Sequence, residues 1–346
     1  MTDEPHVLFE QRGAAGLITL NRPKALNALT HGMCIAMKAK LDEWARDASV
    51  QTVVIQGAGE KAFCAGGDIR SLYESGIDNT PYARNFYRDE YILNAAIKHF
   101  PKPYIALLKG IVMGGGVGVS VHGRHRVVDE TVVFAMPETG IGLFPDVGGS
   151  YFLPRCPGEL GMYFALTGHR VKTADTIYAG IGTHFIPSQD TATLVELLAR
   201  GDAPGDVLAA MAHAPGERPL AGNRVAIDEM FSGGSVEEIL QRLDARGGDW
   251  AKDTAKTLRT KSPTSLKVTY RQIREGKLRE FDDCMKMEWR MVNRIIAGHD
   301  FYEGVRALII DKDNAPKWKP ADLAHVSDAD VDAYFAPVAA GELRLS

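Results

Sequence analysis

Short apolar runs alternate with amphipathic segments along the first half of the chain. The runs predict β-strands at residues 16–21, 52–57 and 103–110, and one or two more within 126–135. Between the first two strands, Thr30 can cap a helix whose apolar residues recur at spacings of three and four. That apolar stripe comprises Met33, Met37, Leu41, Trp44 and Ala48. Strands that alternate with helices predict an α/β core.

The strand pattern stops at about residue 186, and the remaining sequence is helical in character. Helices are predicted at 191–201, 235–247 and 262–276, each ending at a glycine, as helices often do. A longer helix follows, with an apolar face made of Cys284, Met287, Met291 and Ile295. The length suits two domains, or one large domain with an appendage. We therefore divide the chain into an α/β part, residues 1–186, and a helical C-terminal region, residues 187–346.

The charge balance and the cysteine positions narrow the classes of function. The 346 residues carry 44 acidic and 40 basic side chains, a net charge of −4, and no block of Lys and Arg stands out. Nucleic acid and anionic membranes are therefore poor candidates as partners, whereas a local basic patch for one phosphorylated small molecule fits this balance. The four cysteines form no CxxC pair and the histidines no HExxH motif. We expect reduced cysteines, no metal and no cofactor.

The N-terminus and the hydropathy bear on cellular location. Residues 1–13 are acidic and polar, without the basic-then-apolar order of a signal peptide or the Arg and Ser richness of a transit peptide. No apolar run approaches the ~18 residues that a membrane helix needs. We therefore expect a cytoplasmic protein.

Two glycine-rich stretches follow predicted strands, "KAFCAGGDIRSL" at 61–72 and "KGIVMGGGVGVSVHG" at 109–123. Glycine lets the backbone approach a ligand closely and leaves the N–H groups of a helix N-terminus free to face it. Either stretch by itself is more simply a tight turn between a strand and a helix. The second stretch is not a dinucleotide fingerprint, because Val119 and Val121 stand where GxGxxG needs its third glycine. The sequence has no GxSxG nucleophile elbow either.

Together, the two stretches can offer N–H groups to one carbonyl oxygen as it becomes negative. Donors of this kind contribute roughly 2.7–4 kcal/mol each in acyl chemistry. A nearby carboxylate would complete an acyl-transfer site. Glu138 and Asp146 are the two charged residues in the apolar stretch 134–154. Taken alone, they are more simply two acids on surface turns.

Four stretches, in this order, resemble the crotonase (enoyl-CoA hydratase/isomerase) superfamily: "LNRPKALNAL", "AFCAGGDI", "GIVMGGGVGVS" and "FAMPETGIGLFPDVGGSYFLPR". The sequence is more similar still to the 3-hydroxyisobutyryl-CoA hydrolase branch, through "FALTGHRVK", "SPTSLKVTYRQIREG" and "GHDFYEGVRALIIDKDNAPKWKP". The resemblance covers about residues 7–325. It implies a core of repeated β-β-α turns with a helical C-terminal region, and a coenzyme A thioester as substrate.

The resemblance also implies roles for particular residues. The backbone N–H groups of Ala65 and Gly115 would form the oxyanion hole. Glu90 matches a substrate-binding glutamate of the hydrolase branch, although by its own pattern it reads as a solvated charge on a helix. The path of the coenzyme A moiety would be lined by the "AGGD" stretch and the next loop, through Gly66, Gly67, Asp68 and Gly114.

One departure from the hydratase pattern bears on the chemistry. The hydratase pattern looks like "GGGCE" at the place where this chain has "GGGVG". Gly118 therefore stands where the first catalytic glutamate of hydratases would be. Their second glutamate matches Glu138, and Asp146 stands where hydratases tend to have a small residue. Hydration needs acid and base groups beside both reacting carbons, so the loss of one carboxylate disfavours it. The resemblance therefore implies hydrolysis.

The expected reaction is hydrolysis of a short 3-hydroxyacyl-CoA thioester, 3-hydroxyisobutyryl-CoA of valine catabolism. Glu138 would attack the carbonyl to give a mixed anhydride, or act as general base on water; both routes stay open. Asp146 would orient Glu138 or water, or accept a hydrogen bond from the 3-hydroxyl group. The alternatives are hydratase or isomerase chemistry on the same frame, and an inactive acyl-CoA-binding protein. Whether the chain forms a homo-oligomer stays open as well.

Overall fold

The computed structural model describes residues 4–339 and 341–345. Within this range, ten strands form two sheets. The strands are β1 (Val7–Arg12), β2 (Ala15–Leu20), β3 (Thr52–Gly57), β4 (Ala62–Cys64), β5 (Tyr104–Leu108), β6 (Ile111–Met113), β7 (His125–Val128), β8 (Val133–Ala135), β9 (Val171–Lys172) and β10 (His184–Phe185).

Sixteen α-helices lie in the same described range. They are α1 (His31–Arg46), α2 (Ile69–Ile77), α3 (Tyr82–Lys98), α4 (Gly115–Gly118), α5 (Gly149–Phe152), α6 (Leu160–Thr167), α7 (Thr173–Tyr178), α8 (Thr191–Arg200), α9 (Pro204–Met211), α10 (Pro219–Phe231), α11 (Val236–Arg246), α12 (Asp249–Arg259), α13 (Pro263–Gly276), α14 (Phe281–Ile295), α15 (Asp300–Val305) and α16 (Asp328–Phe335). A π-helical turn, Arg306–Ile310, continues α15.

The sheets are built from a repeated pair of strands. The larger sheet has the order β1-β2-β3-β5-β7-β10, and the smaller sheet the order β4-β6-β8-β9. Each of the pairs β3–β4, β5–β6 and β7–β8 gives its first strand to the larger sheet and its second to the smaller one. Neighbouring strands from successive pairs are parallel in both sheets. This arrangement is the repeated β-β-α core that the resemblance implied.

The long elements agree with the sequence pattern. The predicted strand at 52–57 is β3, and α1 begins directly after Thr30, whose hydroxyl accepts a hydrogen bond from the Met33 N–H. The predicted stretch 126–135 contains two strands, β7 and β8. The three predicted C-terminal helices are α8, α11 and α13, and the predicted apolar face of the next helix is buried on α14.

The helices after residue 186 pack onto the α/β part. Helix α13 packs against α6, and α14 packs against α3. Apolar residues of both parts, such as Phe134 and Met291, belong to one buried cluster. The last strand ends at Phe185, close to the boundary predicted at residue 186. The two parts therefore share one hydrophobic core. Their division into two domains at residue 186, which was based on where the strand pattern stops, stays a prediction. No helix in the described range is long and apolar enough to cross a membrane.

Candidate active site

The two glycine-rich loops lie side by side at one edge of the smaller sheet. Strand β4 ends at Cys64 and strand β6 at Met113, and the two strands are parallel neighbours. Their carboxyl ends therefore meet at the same edge. Gly114, with φ of 48°, turns the chain from β6 into α4. A side chain is strained at such a φ, and a Cβ on Gly114 would lie 3.3 Å from the Cα of Gly66 in the other loop.

A cavity of about 180 Å³ opens between these loops. Eight of the nine residues proposed for the site line it: Ala65, Gly66, Gly67, Glu90, Gly114, Gly115, Glu138 and Asp146. Apolar side chains complete the wall, including Leu308 and Ile309 from the C-terminal π-helical turn. Residues far apart in the sequence thus meet around one small cavity.

Asp68 is the proposed site residue that lies outside the cavity lining. Its carboxylate accepts a hydrogen bond from the Arg22 guanidinium at 2.9 Å. The same carboxylate caps α2 by accepting from the Ser71 N–H at 3.4 Å. Asp68 therefore holds the loop in place, and a direct contact with substrate stays a prediction.

The backbone donors of the loops require one correction to the predicted oxyanion hole. The Ala65 N–H donates to the Leu26 carbonyl oxygen at 3.0 Å, so it is not free to meet a substrate. The N–H groups of Gly67 and Gly115 donate no hydrogen bond to any residue among 4–339 and 341–345. A Cβ on Gly115 would lie 3.3 Å from the Gly67 nitrogen, so these two free donors are neighbours. Gly67 therefore replaces Ala65 as the partner of Gly115.

Glu138 begins a 3-10 turn, Glu138–Ile141, directly after strand β8 and Pro137. Its side chain is buried, and Oε2 has no hydrogen-bond partner among the described residues. Oε1 lies 3.4 Å from the position of a Cβ on Gly114, so the carboxyl group stands at the glycine loops. Burial and then the Asp146 charge raise the pKa of Glu138 well above its usual range, while Lys261 opposes this shift.

Asp146 lies in the turn between the 3-10 turn and α5. It is 4 % exposed, and its Oδ2 accepts a hydrogen bond from the Tyr91 hydroxyl at 2.9 Å. Burial raises the pKa of Asp146 to about 7, although the Tyr91 hydrogen bond lowers it. The interpretation of Glu138 and Asp146 as acids on surface turns is therefore wrong, because both are buried in one cavity.

Glu90 lies on α3 and is 2 % exposed, so its interpretation as a solvated charge is wrong as well. A Cβ on Gly115 would collide with its Oε1, which places this oxygen directly over the second glycine loop. Oε1 has no hydrogen-bond partner in the described part of the chain. Burial, followed by the charges of Asp146, Glu288 and Glu138, raises the pKa of Glu90.

Gly118 has no room for the glutamate that hydratases carry at this place. A Cβ on Gly118 would lie 2.6 Å from the Val147 Cβ and 2.8 Å from the Asn94 Nδ2. Such distances are too short for a side chain without movement of its neighbours. Val147, in the turn that carries Asp146, thus fills the space that a side chain at position 118 would need.

Two charged groups near the site were missed from the sequence. Glu288 is fully buried on α14. Lys261 lies near Glu138, and burial lowers the pKa of this lysine although the Glu138 charge opposes the shift. The sequence held one signal for Glu288. It falls at helical spacing within the apolar face of α14, between Cys284 and Met291, where a charged residue is unusual. Lys261 lies between α12 and α13, where no helical spacing relates it to other residues of the site.

Comparisons with known proteins agree with this geometry. The family model described as enoyl-CoA hydratase/isomerase matches residues 15–335. A protein of Danio rerio named "3-hydroxyisobutyryl-CoA hydrolase, mitochondrial" is 50 % identical, over 98 % of this chain and 91 % of that protein. The protein of the same name from Xenopus laevis is 48 % identical, over 98 % of this chain and 90 % of its own length.

A solved structure gives the same fold under a different name. The crystal structure of a protein named carnitinyl-CoA dehydratase, from Mycobacterium thermoresistibile, superimposes with a TM-score of 0.94 at 44 % identity, covering 99 % of each chain. This structure confirms the fold that the sequence predicted, and the relatives confirm the hydrolase branch that it resembled. The chain belongs to the enoyl-CoA hydratase/isomerase family.

Proposed function

We propose that the protein hydrolyses a short 3-hydroxyacyl-CoA thioester, 3-hydroxyisobutyryl-CoA, to 3-hydroxyisobutyrate and free coenzyme A. The observation that carries this proposal is the pairing of two free backbone donors, Gly67 and Gly115, with the unpartnered Glu138 carboxyl oxygen in one cavity. The names of the relatives that share about half of its residues point to the same reaction. Coenzyme A is then part of the substrate, and we propose no further cofactor.

The thioester carbonyl oxygen lies between the N–H groups of Gly67 and Gly115. Both donors are fixed by the backbone before the substrate arrives, so they stabilise the charge that develops on the oxygen without rearrangement. Removal of one such donor costs roughly 2.7–4 kcal/mol of transition-state stabilisation. Gly66 and Gly114 keep this region free of side chains, so that the thioester can reach the donors.

Glu138 supplies the attack on the carbonyl carbon, by one of two routes. In the first, it adds to the carbonyl and expels the coenzyme A thiolate, and water then hydrolyses the resulting mixed anhydride. In the second, it takes a proton from a water that attacks the carbonyl and displaces the thiolate. In both routes the proton released by the water restores the thiol. Either route needs the ionised carboxylate. A single turnover in oxygen-18 water tests for the anhydride. Water that attacks its glutamyl carbonyl leaves label in the Glu138 carboxylate, whereas the general-base route places label in the released acid alone.

Asp146 and Glu90 are the two acids that recognise the 3-hydroxyl group. Both line the cavity, and the unpartnered Oε1 of Glu90 is an acceptor without a donor. A buried acceptor left without a partner is costly, which favours a substrate that brings a hydroxyl group over one that lacks it. Asp146 also orients Glu138 or the attacking water, because its carboxyl group lines the same cavity as Glu138.

A second candidate is lyase chemistry, suggested by the name of the Mycobacterium thermoresistibile protein, a carnitinyl-CoA dehydratase. Gly118 weighs against it, because the first hydratase glutamate is absent and its space is filled by Val147 and Asn94. An inactive acyl-CoA-binding protein is a third candidate. The buried acids and the two free donors favour an enzyme instead.

An assay of free coenzyme A with a panel of esters tests the proposal. The panel contains 3-hydroxyisobutyryl-CoA, other short 3-hydroxyacyl-CoA esters and short enoyl-CoA esters. Thiol release from the hydroxyacyl esters, without hydration of the enoyl esters, is the expected result. Hydration without thiol release would favour the lyase, and ester binding without turnover would favour the binding protein.

The metabolic role, the cellular location and the oligomeric state of the protein are proposals as well. A role in valine catabolism follows if 3-hydroxyisobutyryl-CoA is the preferred ester. The cytoplasmic location remains a prediction, since the names of the relatives place those proteins in mitochondria. Fractionation of the source cells tests the location, and sedimentation of the purified protein tests for a homo-oligomer.

A further inference from the structure

A buried carboxylate from the C-terminal region holds the turn that carries Asp146. Glu288 on α14 is 0 % exposed. Its Oε2 accepts a hydrogen bond from the Gly148 N–H at 2.8 Å, and its Oε1 accepts one from the Ser150 N–H at 2.9 Å. Burial of a carboxylate is costly unless its oxygens are bonded, and here both are. The two donors belong to the backbone that follows Asp146 directly.

That turn has a backbone that is unfavourable by itself. Val147 has φ of 51° and Gly148 has φ of 86°, so a β-branched residue lies in the left-handed region. Conformations of this kind persist only where surrounding contacts hold them. Gln272 donates to the Pro145 carbonyl at 2.6 Å, and His122 Nε2–H donates to the Val147 carbonyl at 2.7 Å. With Glu288, three buried side chains fix the turn.

We propose that Glu288 is a positioning residue for the hydrolysis and acts through Asp146, an inference that rests on the proposed function. By holding the N–H groups of residues 148 and 150, Glu288 fixes the direction in which the Asp146 carboxylate enters the cavity. It thereby also keeps Asp146 within reach of the Tyr91 hydroxyl. Without this hold, Val147 relaxes toward ordinary φ values and carries Asp146 out of position.

Several titratable side chains surround Asp146. Tyr87, Tyr91 and Glu90 face it from α3, Glu138 from the 3-10 turn and Glu288 from α14. His122 beside Gly148 is neutral, because burial lowers its pKa to about 3. Burial raises the pKa of Glu288 to about 8, with the Asp146 charge adding to the rise and the two N–H donors opposing it.

Glu288→Gln tests the proposal, because it keeps the size of the side chain but turns an NH₂ group toward an N–H donor. We expect kcat to fall about 10²-fold, the scale of a 1 Å misplacement, with KM near the wild-type value. A merely structural role would lower kcat by the same factor in any background. A role through Asp146 predicts instead that Glu288→Gln has little further effect in an Asp146→Asn background. Equal factors in both backgrounds would overturn the proposal.

Asp283→Asn is the matched control. Asp283 lies on the same helix, exposed and paired with Lys286, and Asp283→Asn makes the same exchange of a carboxyl group for an amide. We expect it to leave kcat unchanged. If Glu288→Gln does not fold, Gln272→Met removes another hold on the turn, and the same cycle with Asp146→Asn applies.

A crystal structure of the Glu288→Gln variant separates this proposal from the proposed function. If the wild-type protein hydrolyses no 3-hydroxyacyl ester, the proposed function fails, while the structure still reports on the turn. The expected result is a shifted backbone at residues 146–150 and loss of the 2.9 Å bond between Tyr91 and Asp146. An unchanged turn in that structure would refute the positioning role.

Discussion

Asp146→Asn offers a test of the buried acids that can be worked through from the structure. The substitution removes an ionisable group that is 4 % exposed and keeps the size of the side chain. Burial raises the pKa of Asp146 from 3.8 to about 7. At about 1.4 kcal/mol for each tenfold change in acidity, this shift makes the ionised form about 4 kcal/mol less favourable in the fold than in the unfolded chain.

The sign of the pH dependence follows from the direction of the shift. Because the folded protein holds the Asp146 proton more tightly than the unfolded chain does, its stability falls as pH rises from about 4 to about 7. This contribution is fully present below pH 4 and is lost above the folded pKa. The Asn variant has no such proton to lose. We therefore expect its free energy of unfolding, relative to wild type, to increase by about 4 kcal/mol between pH 4 and pH 8.

Denaturant unfolding of both proteins at several pH values between 4 and 8 measures this difference. The hydrolysis rate provides the second readout, and we expect the Asn variant to lose most of its activity while it gains stability at high pH. Gains in stability at a cost in activity are typical of strained, functional positions. A difference in unfolding free energy that is independent of pH would refute the reasoning, because Asp146 would then have an ordinary pKa.

Three further predictions use the same geometry. Lys261→Met removes the cation that lowers the pKa of Glu138, so the rise of kcat with pH should move to higher pH; an unchanged profile would exclude Lys261 from the electrostatics of the site. Gly118→Glu should destabilise the protein by about 1–3 kcal/mol through overpacking against Val147, without creating hydratase activity; a stable hydratase would contradict the packing argument. Isobutyryl-CoA should react roughly 10⁴–10⁵-fold less efficiently in kcat/KM than its 3-hydroxy analogue, and comparable values would remove hydroxyl recognition from Glu90 and Asp146.

Much of the fold was predictable because its periodicity is local. Helix α1 buries one face whose residues recur at local spacings, and strand β3 is a continuous β-branched run that is buried on both faces, so the local sequence alone predicts both. The short strands β4, β6 and β9 have three residues or fewer, too few to show a period. Their pairing depends on contacts between distant segments, which no local pattern records.

The sequence predicted which stretches form the site, but not the part that each residue plays in it. The glycine stretches showed where a backbone could meet a ligand, but the choice between Ala65 and Gly67 depends on the carbonyl of Leu26, which takes the Ala65 N–H. Similarly, the burial of Glu90 results from packing of α3 over the second glycine loop. Glu288 joins the site across 140 positions of sequence. Hydrogen-bond partners at such distances become visible only in three dimensions.

The release of free coenzyme A from 3-hydroxyisobutyryl-CoA, by the wild-type protein and by Glu138→Gln, tests the proposed chemistry most directly. The substitution preserves the size of the side chain but removes the carboxylate that attacks the carbonyl or activates water. We expect steady thiol release by the wild type, and ester binding of near wild-type affinity with no turnover by the variant. Turnover by Glu138→Gln at a rate close to that of the wild type would contradict the assigned role of this carboxylate.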